Sequence, residues 1–515
     1  MNEINSIENT PFSPPDPGSG STPCRVRMAP SPTGFFHVGS ARTALFNYLF
    51  ARHLGGTFVL RIEDTDRSRN EPAFEQIIYD ALKWLGLDAD EGPLQGGDFG
   101  PYRQSERFDL YRRYALQLLD SGAAYFAYET GEELAAMKAG QAARKLPPRY
   151  NGAHRDLTPE QRAAFESENR KPVLRLRVPE GETAWRDLVH GDTKWRNGEI
   201  DDFVIMKSDD SPTYNFACAI DDATMKISHV IRGEDGLSNT PRQILIYNAL
   251  GFKIPHFAHL PFLLGGDRKK LSKRHGAVNL LDYAEQGIFA DAMFNYLTLL
   301  GWNPGEGETQ EMFTRAELIE RFSLEGVNKS GAIFDPDKLA WMNTQYLKAM
   351  PIEDFSAFAA PQLTSVREEM ASEPEYARRA LEMARERLGT FAIVEQDANG
   401  EKTTRFQTDL VSGVAYFFTD DFTADPAAIQ KHDTPAAKEL LQHLRARFQV
   451  LPSWTHDEIE AAIRAVAEEK NVKPAALIHP SRVAVSGRMV GPSLFELLEV
   501  LGRERVLRRL GNFCD

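Results

Sequence analysis

Cysteine is scarce: the 515 residues hold three, Cys24, Cys218 and Cys514, odd in number and far apart. No disulfide framework follows from them, and without a Cys-x-x-Cys pair no thiolate zinc site is read. A reducing cytosol suits such a chain, which gives a cytoplasmic localisation. Long apolar runs are lacking too, so no segment reads as a membrane span and no membrane partner is expected. Residues 1–23 are rich in Ser, Pro and Gly with few large apolar side chains, and read as a disordered N-terminal extension. They contain Glu3, Glu8 and Asp16, no arginine and no apolar core, so no targeting segment is read. Positive charge is in deficit. A net charge of −14 counts against a nucleic-acid partner unless basic residues gather on one face.

What the chain does have is the make-up of a globular protein, 42% hydrophobic and 26% charged, at a length that implies two to four domains. Its most informative stretch runs from Cys24 to Asp66 and reads as one βαβ unit. Arg25 to Ala29 alternates as a short strand does, and Pro30, Pro32 and Gly34 break it into a loop. From Gly39, the residues Ala41, Ala44, Leu45, Tyr48 and Leu49 recur at helical steps until Gly55 and Gly56, and Thr57 to Ile62 is the next strand. The loop therefore sits at the carboxyl end of a strand against a helix N-terminus, where open α/β sheets bind nucleotides. It carries Ser31, Thr33, His37, Gly39 and Ser40. An imidazole there can reach phosphate, and Gly39 allows close backbone approach. Far downstream, Arg268, Lys269, Lys270, Lys273 and Arg274 follow Gly265 and Gly266, as in a mobile loop that holds cations for an anion. Taken alone, each stretch also fits an incidental histidine or a solvated basic turn. Together, in this order, they are specific.

The paired motifs resemble the His-Ile-Gly-His and Lys-Met-Ser-Lys-Ser signatures of the class I aminoacyl-tRNA synthetases. Their wording resembles that of the bacterial glutamyl-tRNA synthetases: RMAPSPTGFFHVGSARTALFNYLFARHLGGTFVLRIEDTDRSR, GPYRQSERFDLYRRYA, SDDSPTYNFACAIDD, HVIRGEDGLSNTPRQILIYNALG and KKLSKRHGAV. The resemblance runs from near Arg25, more loosely, to the C-terminus.

The rest of the chain is divided accordingly. Residues 24–106 form the first half of a Rossmann-type catalytic domain, and 107–205 depart from βαβ rhythm as an insertion of mixed α/β character. By resemblance the insertion is the connective domain that holds the tRNA acceptor end. Some relatives carry zinc there; Phe126-Ala127-Tyr128-Glu129 stands in its place here, so no zinc and no other metal site is expected. Residues 206–275 complete the catalytic domain, with Pro212 to Ile220 and Ile227 to Ile231 continuing the sheet and Thr240 to Leu250 helical. His256 and His259 have no carboxylate nearby in sequence and read as packing or loop residues. Residues 276–345 are a helical stem-contact domain and 346–515 a helical anticodon-binding domain, with helices at Tyr376 to Phe391, Ala436 to Phe448, Thr455 to Lys470 and Leu494 to Leu510. Val485 to Gly491 reads as a loop between the last two. The fold class is thus multidomain: a split Rossmann-type α/β domain with an α/β insertion, then an all-α C-terminal half.

The reaction implied by the resemblance is attack of L-glutamate on the α-phosphate of ATP, loss of pyrophosphate, and acyl transfer to the 3′ end of tRNA(Glu). Mg²⁺ is expected with ATP. A carboxylate is already a nucleophile, so the enzyme's task is alignment and stabilisation of spreading phosphate charge. The resemblance assigns that to His37, Lys270 and Lys273, with Gly39, Ser40, Glu234, Asp235 and Ser272 also at ATP. Arg27 and Arg232 would bind carboxylate, Glu63 the α-amine, and Ser31 and Tyr214 complete the pocket. The plain alternative for Arg27 and Glu63 is a salt bridge across neighbouring strands. Asp64 and Asp66 read as caps of the following helix. Arg378, Arg379, Arg385 and Arg387 lie on one expected helix, either a solvated face or an RNA-facing stripe, and Arg385 and Arg387 are the candidate tRNA contacts. Two positions depart from the pattern: Ser40 replaces a second histidine, and Gly236 stands where a larger ring-bearing residue is usual. The family is usually monomeric and generally needs tRNA bound before it activates glutamate.

Other readings share parts of this pattern. A nucleotidyltransferase making a dinucleotide cofactor would not need the helical residues after 345, and a glutamyl enzyme modifying a tRNA nucleoside would stop near residue 300. A glutaminyl relative should end in β-barrels. An RNA-binding scaffold without catalysis would have no need of His37, Lys270, Lys273, Glu63 and Arg232 together.

Overall fold

The computed structural model describes residues 23–65, 71–271, 279–305, 307–396 and 402–515. The expected N-terminal disorder, the Asp66 cap and the assignments to Ser272 and Lys273 lie outside the described residues. Packing divides the chain into two units: Met1–Glu285, Met293–Asp335 and Gln396–Thr403 form one, Gln286–Ala292, Pro336–Glu395 and Thr404–Asp515 the other.

In the first unit β1 (Arg25–Met28), α1 (Val38–His53) and β2 (Thr57–Leu60) make a parallel βαβ unit, with Arg25 opposite Thr57. All four β1 residues are buried, so the polar positions of its alternation also face protein. Next come α2 (Pro72–Leu85), closed by Gly86 at φ 68°, and α3 (Phe108–Asp120). A three-stranded sheet follows from β3 (Ala124–Ala127), β4 (Val173–Leu176) and β7 (Val204–Met206), with α4 (Gly131–Ala143) and α5 (Pro159–Ser167) between its first two strands. The hairpin β5 (Glu182–Asp187) and β6 (Gly191–Arg196) joins a different sheet. Asp187 pairs with Phe257, which sets the order β6-β5-β9-β8 with β8 (His229–Gly233) and β9 (His256–Leu260). Ser228 N–H bonds Arg25 O at 2.9 Å and brings β8 beside β1. Part of the stretch read as an insertion thereby extends the nucleotide sheet.

Pro212 to Ile220 does not continue that sheet. From Tyr214 it lies in α6 (Tyr214–Thr224), whose residues Phe216 to Asp222 are all buried. A helix buried all round has no polar stripe, and its apolar run mimics a strand. After α7 (Thr240–Leu250), strand β10 (Leu263–Leu264) leads into a hairpin closed by Gly265 N–H to Lys269 O at 2.9 Å and Leu271 N–H to Leu263 O at 2.7 Å.

Among its described residues the second unit is helical except for Thr390–Glu395 and Thr404–Thr408, parts of two paired strands. The helix expected from Tyr376 to Phe391 is Pro374–Arg385, so Arg387 lies beyond it. The helix expected from Leu494 to Leu510 is two, Leu494–Leu501 and Arg503–Cys514, broken at Gly502 with φ 80°. Val485 and Ser486 end the helix Ala475–Ser486, which Gly487 closes at φ 69°. Leu441, Leu444, Phe448, Ile463 and Leu497 are central to this unit's core. Among the described residues no helix is long and apolar enough to cross a membrane.

Candidate active site

The loop after β1 and the N-terminus of α1 open onto a cavity of about 680 Å³, within the usual size range of small-ligand sites. His37 occupies the N-cap position of α1, and its Nδ1 accepts from Ser40 N–H at 3.2 Å. That bond leaves Nε2 as the protonated nitrogen of a neutral ring, 3.3 Å from Ser40 Oγ. Desolvation, then the charge of Lys270, holds the imidazole below its ordinary pKa. A Cβ at Gly39 would lie 3.1 Å from the His37 ring, so the close packing of this turn uses the glycine.

The buried side of the cavity is a lattice of charge. Arg27 is 4% exposed and grips Asp222 of α6 with Nε to Oδ1 at 3.0 Å and Nη2 to Oδ2 at 3.3 Å. Arg61, fully buried, donates to Asp222 Oδ1 at 2.6 Å and to Glu63 Oε1 at 3.0 Å. Burial alone would raise the Asp222 carboxyl, but Arg27 and Arg61 outweigh it and hold it at about 2. Glu63 is shifted the other way, upward, because desolvation exceeds the pull of its arginines. Arg27 and Glu63 thus do form ion pairs, though not with each other across the strands. Neither Arg61 nor Asp222 was singled out from the sequence. The available signal was the acidic pair Asp221-Asp222 inside an apolar run, since a buried carboxylate demands a cationic partner.

Arg232 enters from β8. Its Nε donates to His259 Nε2 at 3.1 Å and its Nη2 to Thr240 Oγ1 at 2.8 Å and Gly236 O at 3.1 Å. A Cβ at position 236 would lie 2.5 Å from Arg232 Nε, so the glycine makes room for this arginine.

One cavity is therefore lined by Arg27, Ser31, Glu63, Tyr214 and Arg232 together with His37, Gly39, Ser40, Asp235 and Lys270. Lys270 holds its ammonium 4.3 Å over the Phe262 ring. Glu234 is not among the lining residues; its Oε1 accepts from Phe262 N–H at 2.8 Å. The N-cap position of α2 is Glu71, and Asp64 accepts from Ser105 N–H at 2.8 Å. Arg42, buried against the Leu300 and Pro261 carbonyls, lines the cavity without having been expected there. In the second unit Arg385 donates to Met350 O, Arg378 pairs with Glu382 at 3.2 Å, and Arg387 is exposed. Among the described residues no group of three His, Cys, Asp or Glu is placed to hold a metal.

His37 at its helix N-terminus and Lys270 on its hairpin meet at one cavity, as the resemblance to the class I synthetases implied. The chain belongs to that family: residues 23–341 match the class I tRNA synthetase (E and Q) catalytic domain, and residues 353–514 match an anticodon binding domain. It is similar to the glutamate–tRNA ligase of Moorella thermoacetica, 48% identical over 94% of this chain and 97% of that one. It is likewise similar to that of Symbiobacterium thermophilum, 45% identical over 95% and 99%. Among solved structures, a glutamate tRNA ligase from Elizabethkingia meningosepticum in complex with its amino acid superposes with TM-score 0.81 at 34% identity, over 96% of this chain and 99% of that one.

Proposed function

We infer that the chain activates L-glutamate with ATP to glutamyl-adenylate and transfers the glutamyl group to the 3′ end of tRNA(Glu), releasing AMP and pyrophosphate. The observation that carries this reading is the meeting, in one cavity, of two arginines and a buried glutamate with an imidazole and a lysine. The first set matches the charges of an amino acid bearing a second carboxylate. The second set suits a triphosphate at a helix N-terminus. Near-full-length similarity to ligases named for glutamate supports the same choice.

In this reading Arg27 and Arg232 bind the carboxylates, Glu63 receives the α-ammonium, and Ser31 and Tyr214 close the pocket. His37 and the amides near Gly39 and Ser40 stabilise charge on the phosphates, while Lys270 assists at the departing pyrophosphate. Glu234 and Asp235 serve the ribose and adenine side, Asp235 directly as a lining residue and Glu234 by holding Phe262. Ser272 and Lys273 belong to the same assignment. Mg²⁺ enters with ATP, held by phosphate oxygens and water in the manner usual for that ion. Arg385 and Arg387 are the proposed tRNA contacts, with Arg387 the more open of the two. The enzyme works as a cytoplasmic monomer. Three free thiols suit a reducing compartment.

Labelled glutamate offered to purified tRNA(Glu) and tRNA(Gln) tests the reading. Charging of tRNA(Glu) is expected, with pyrophosphate exchange dependent on the RNA. No charging of either tRNA would overturn it.

A further inference from the structure

We propose that Asp187 and His259 form a positioning relay for Arg232, in which the carboxylate selects the imidazole tautomer that receives the arginine's Nε–H. The proposal rests on the ligase reading in giving Arg232 a substrate carboxylate, and it adds the groups that aim that arginine.

Both relay residues are sealed from solvent, Asp187 at 1% and His259 at 0% exposure. Seventy-two positions separate them in sequence, and they meet only because β5 runs beside β9. Asp187 Oδ1 accepts three backbone N–H groups, from Val189 at 3.0 Å, His190 at 3.0 Å and His259 at 3.3 Å. Its Oδ2 lies 2.5 Å from His259 Nδ1. The other ring nitrogen, Nε2, faces Arg232 Nε and Thr240 Oγ1, each at 3.1 Å.

Donor and acceptor inventories leave one consistent state. An ionised carboxylate only accepts and a guanidinium only donates, so His259 must carry its proton on Nδ1 and offer a lone pair at Nε2. The opposite tautomer, or the imidazolium, would set N–H against N–H in a dry site. Of the five guanidinium N–H bonds, the one on Nε goes to His259 and the two on Nη2 to Thr240 and Gly236. Nη1 is buried and has no hydrogen-bond partner among the described residues, and Arg232 lines the cavity. Two N–H bonds on Nη1 are thus kept for a ligand carboxylate while the other three fix the plane of the fork. An orienter that sets the tautomer of a histidine, which in turn sets a functional group, is the logic of carboxylate–histidine pairs at metal and nucleophile sites. Here it is turned to hold a cation.

The test is pyrophosphate exchange by the full chain with tRNA(Glu) present, reading KM for glutamate and for ATP separately. In Asp187→Asn the three backbone amides require oxygen at the Oδ1 position, so the amide nitrogen faces His259 Nδ1 and forces the proton onto Nε2. Glutamate KM should rise about ten- to hundredfold, the cost of a lost hydrogen bond to a charged group, with ATP KM within about twofold. In His259→Gln a carbonyl oxygen at the Nε2 position needs no tautomer. Asp187→Asn added to that variant should change glutamate KM by less than about threefold, within a fraction of one such bond. An unchanged glutamate KM in Asp187→Asn, a parallel rise in ATP KM, or an equal cost in both backgrounds would overturn the relay. Nitrogen-15 histidine shifts of the unsubstituted protein, assigned through His259→Gln, supply a readout that needs neither variant activity nor the ligase assignment. Protonated Nδ1 supports the relay and protonated Nε2 overturns it. An unsubstituted protein that exchanges nothing would instead fell the ligase reading.

Discussion

The buried and exposed sides of the cavity handle charge in opposite ways. On the buried side Arg27, Arg61, Asp222 and Glu63 bind one another at 2.6–3.3 Å, and no member is more than 7% exposed. On the exposed side His37 and Lys270 stand within reach of water, one bonded to its own helix turn and the other over an aromatic ring. Fixed ligand groups such as carboxylates and an ammonium are best met by charges already oriented and desolvated, because reorganisation would consume binding energy. Phosphate charge that spreads and then leaves is better met by groups on the open side of a site, which can follow it.

This contrast can be broken at five positions. The largest effect is expected from Asp222→Ala, which strands Arg27 and Arg61 without their shared carboxylate and should cost about 3–5 kcal/mol in denaturant unfolding. A loss under about 1 kcal/mol, typical of exposed pairs, would show that the lattice is not desolvated. The same carboxylate gives a pH signature. Its pKa is about 2 in the folded chain against an ordinary 3.8, so its stabilisation is complete above about pH 4 and lost as pH falls toward 2. Asp222→Asn should flatten that part of the acid unfolding curve.

On the exposed side, His37→Ala should cost only about 1 kcal/mol in unfolding, as for a lost N-cap, but cut pyrophosphate exchange about a hundredfold, near 3 kcal/mol of transition-state stabilisation. Lys273→Ala, a position assigned by resemblance, should cut exchange by a similar factor. Wild-type exchange in either variant removes that residue from the mechanism. Glu63→Ala should weaken glutamate by about 1.5–3 kcal/mol, as for a hydrogen bond to a charged group, and ATP much less. Titration of both ligands would reveal equal losses if the residue merely supports the fold. The smallest change, about 1 kcal/mol as overpacking, is expected from Gly236→Ala. It should raise glutamate KM several-fold by pushing Arg232 off its seat, and an unchanged KM would mean the arginine accommodates the methyl.

The exposed side was the legible one. His37, Gly39 and Ser40 fall within four positions at a strand-to-helix turn, and Lys270 follows a glycine pair, so their neighbourhood is written in local order. The buried side was only half legible. Arg27 and Glu63 were reached through resemblance, but their partners Asp222 and Arg61 were not, and Asp222 lies just past Pro212–Ile220, the stretch read as sheet, on the helix that takes its place. Glu234, adjacent to Asp235 in sequence, accepts from the Phe262 amide, a partner that local order does not show. The division of the last helices failed at Gly502, where the apolar pattern continues across a backbone break that spacing cannot register.

By itself, the chain's order of residues determined the βαβ turn, the two cationic motifs and the helical second half, because each depends on neighbours within a few positions. Only the tertiary structure decided which charges pair in the dark. Asp222 reaches Arg27 across 195 positions and Asp187 reaches His259 across 72. Such partners are chosen by which strand lies beside which, and by the cost of leaving either one unpaired away from water.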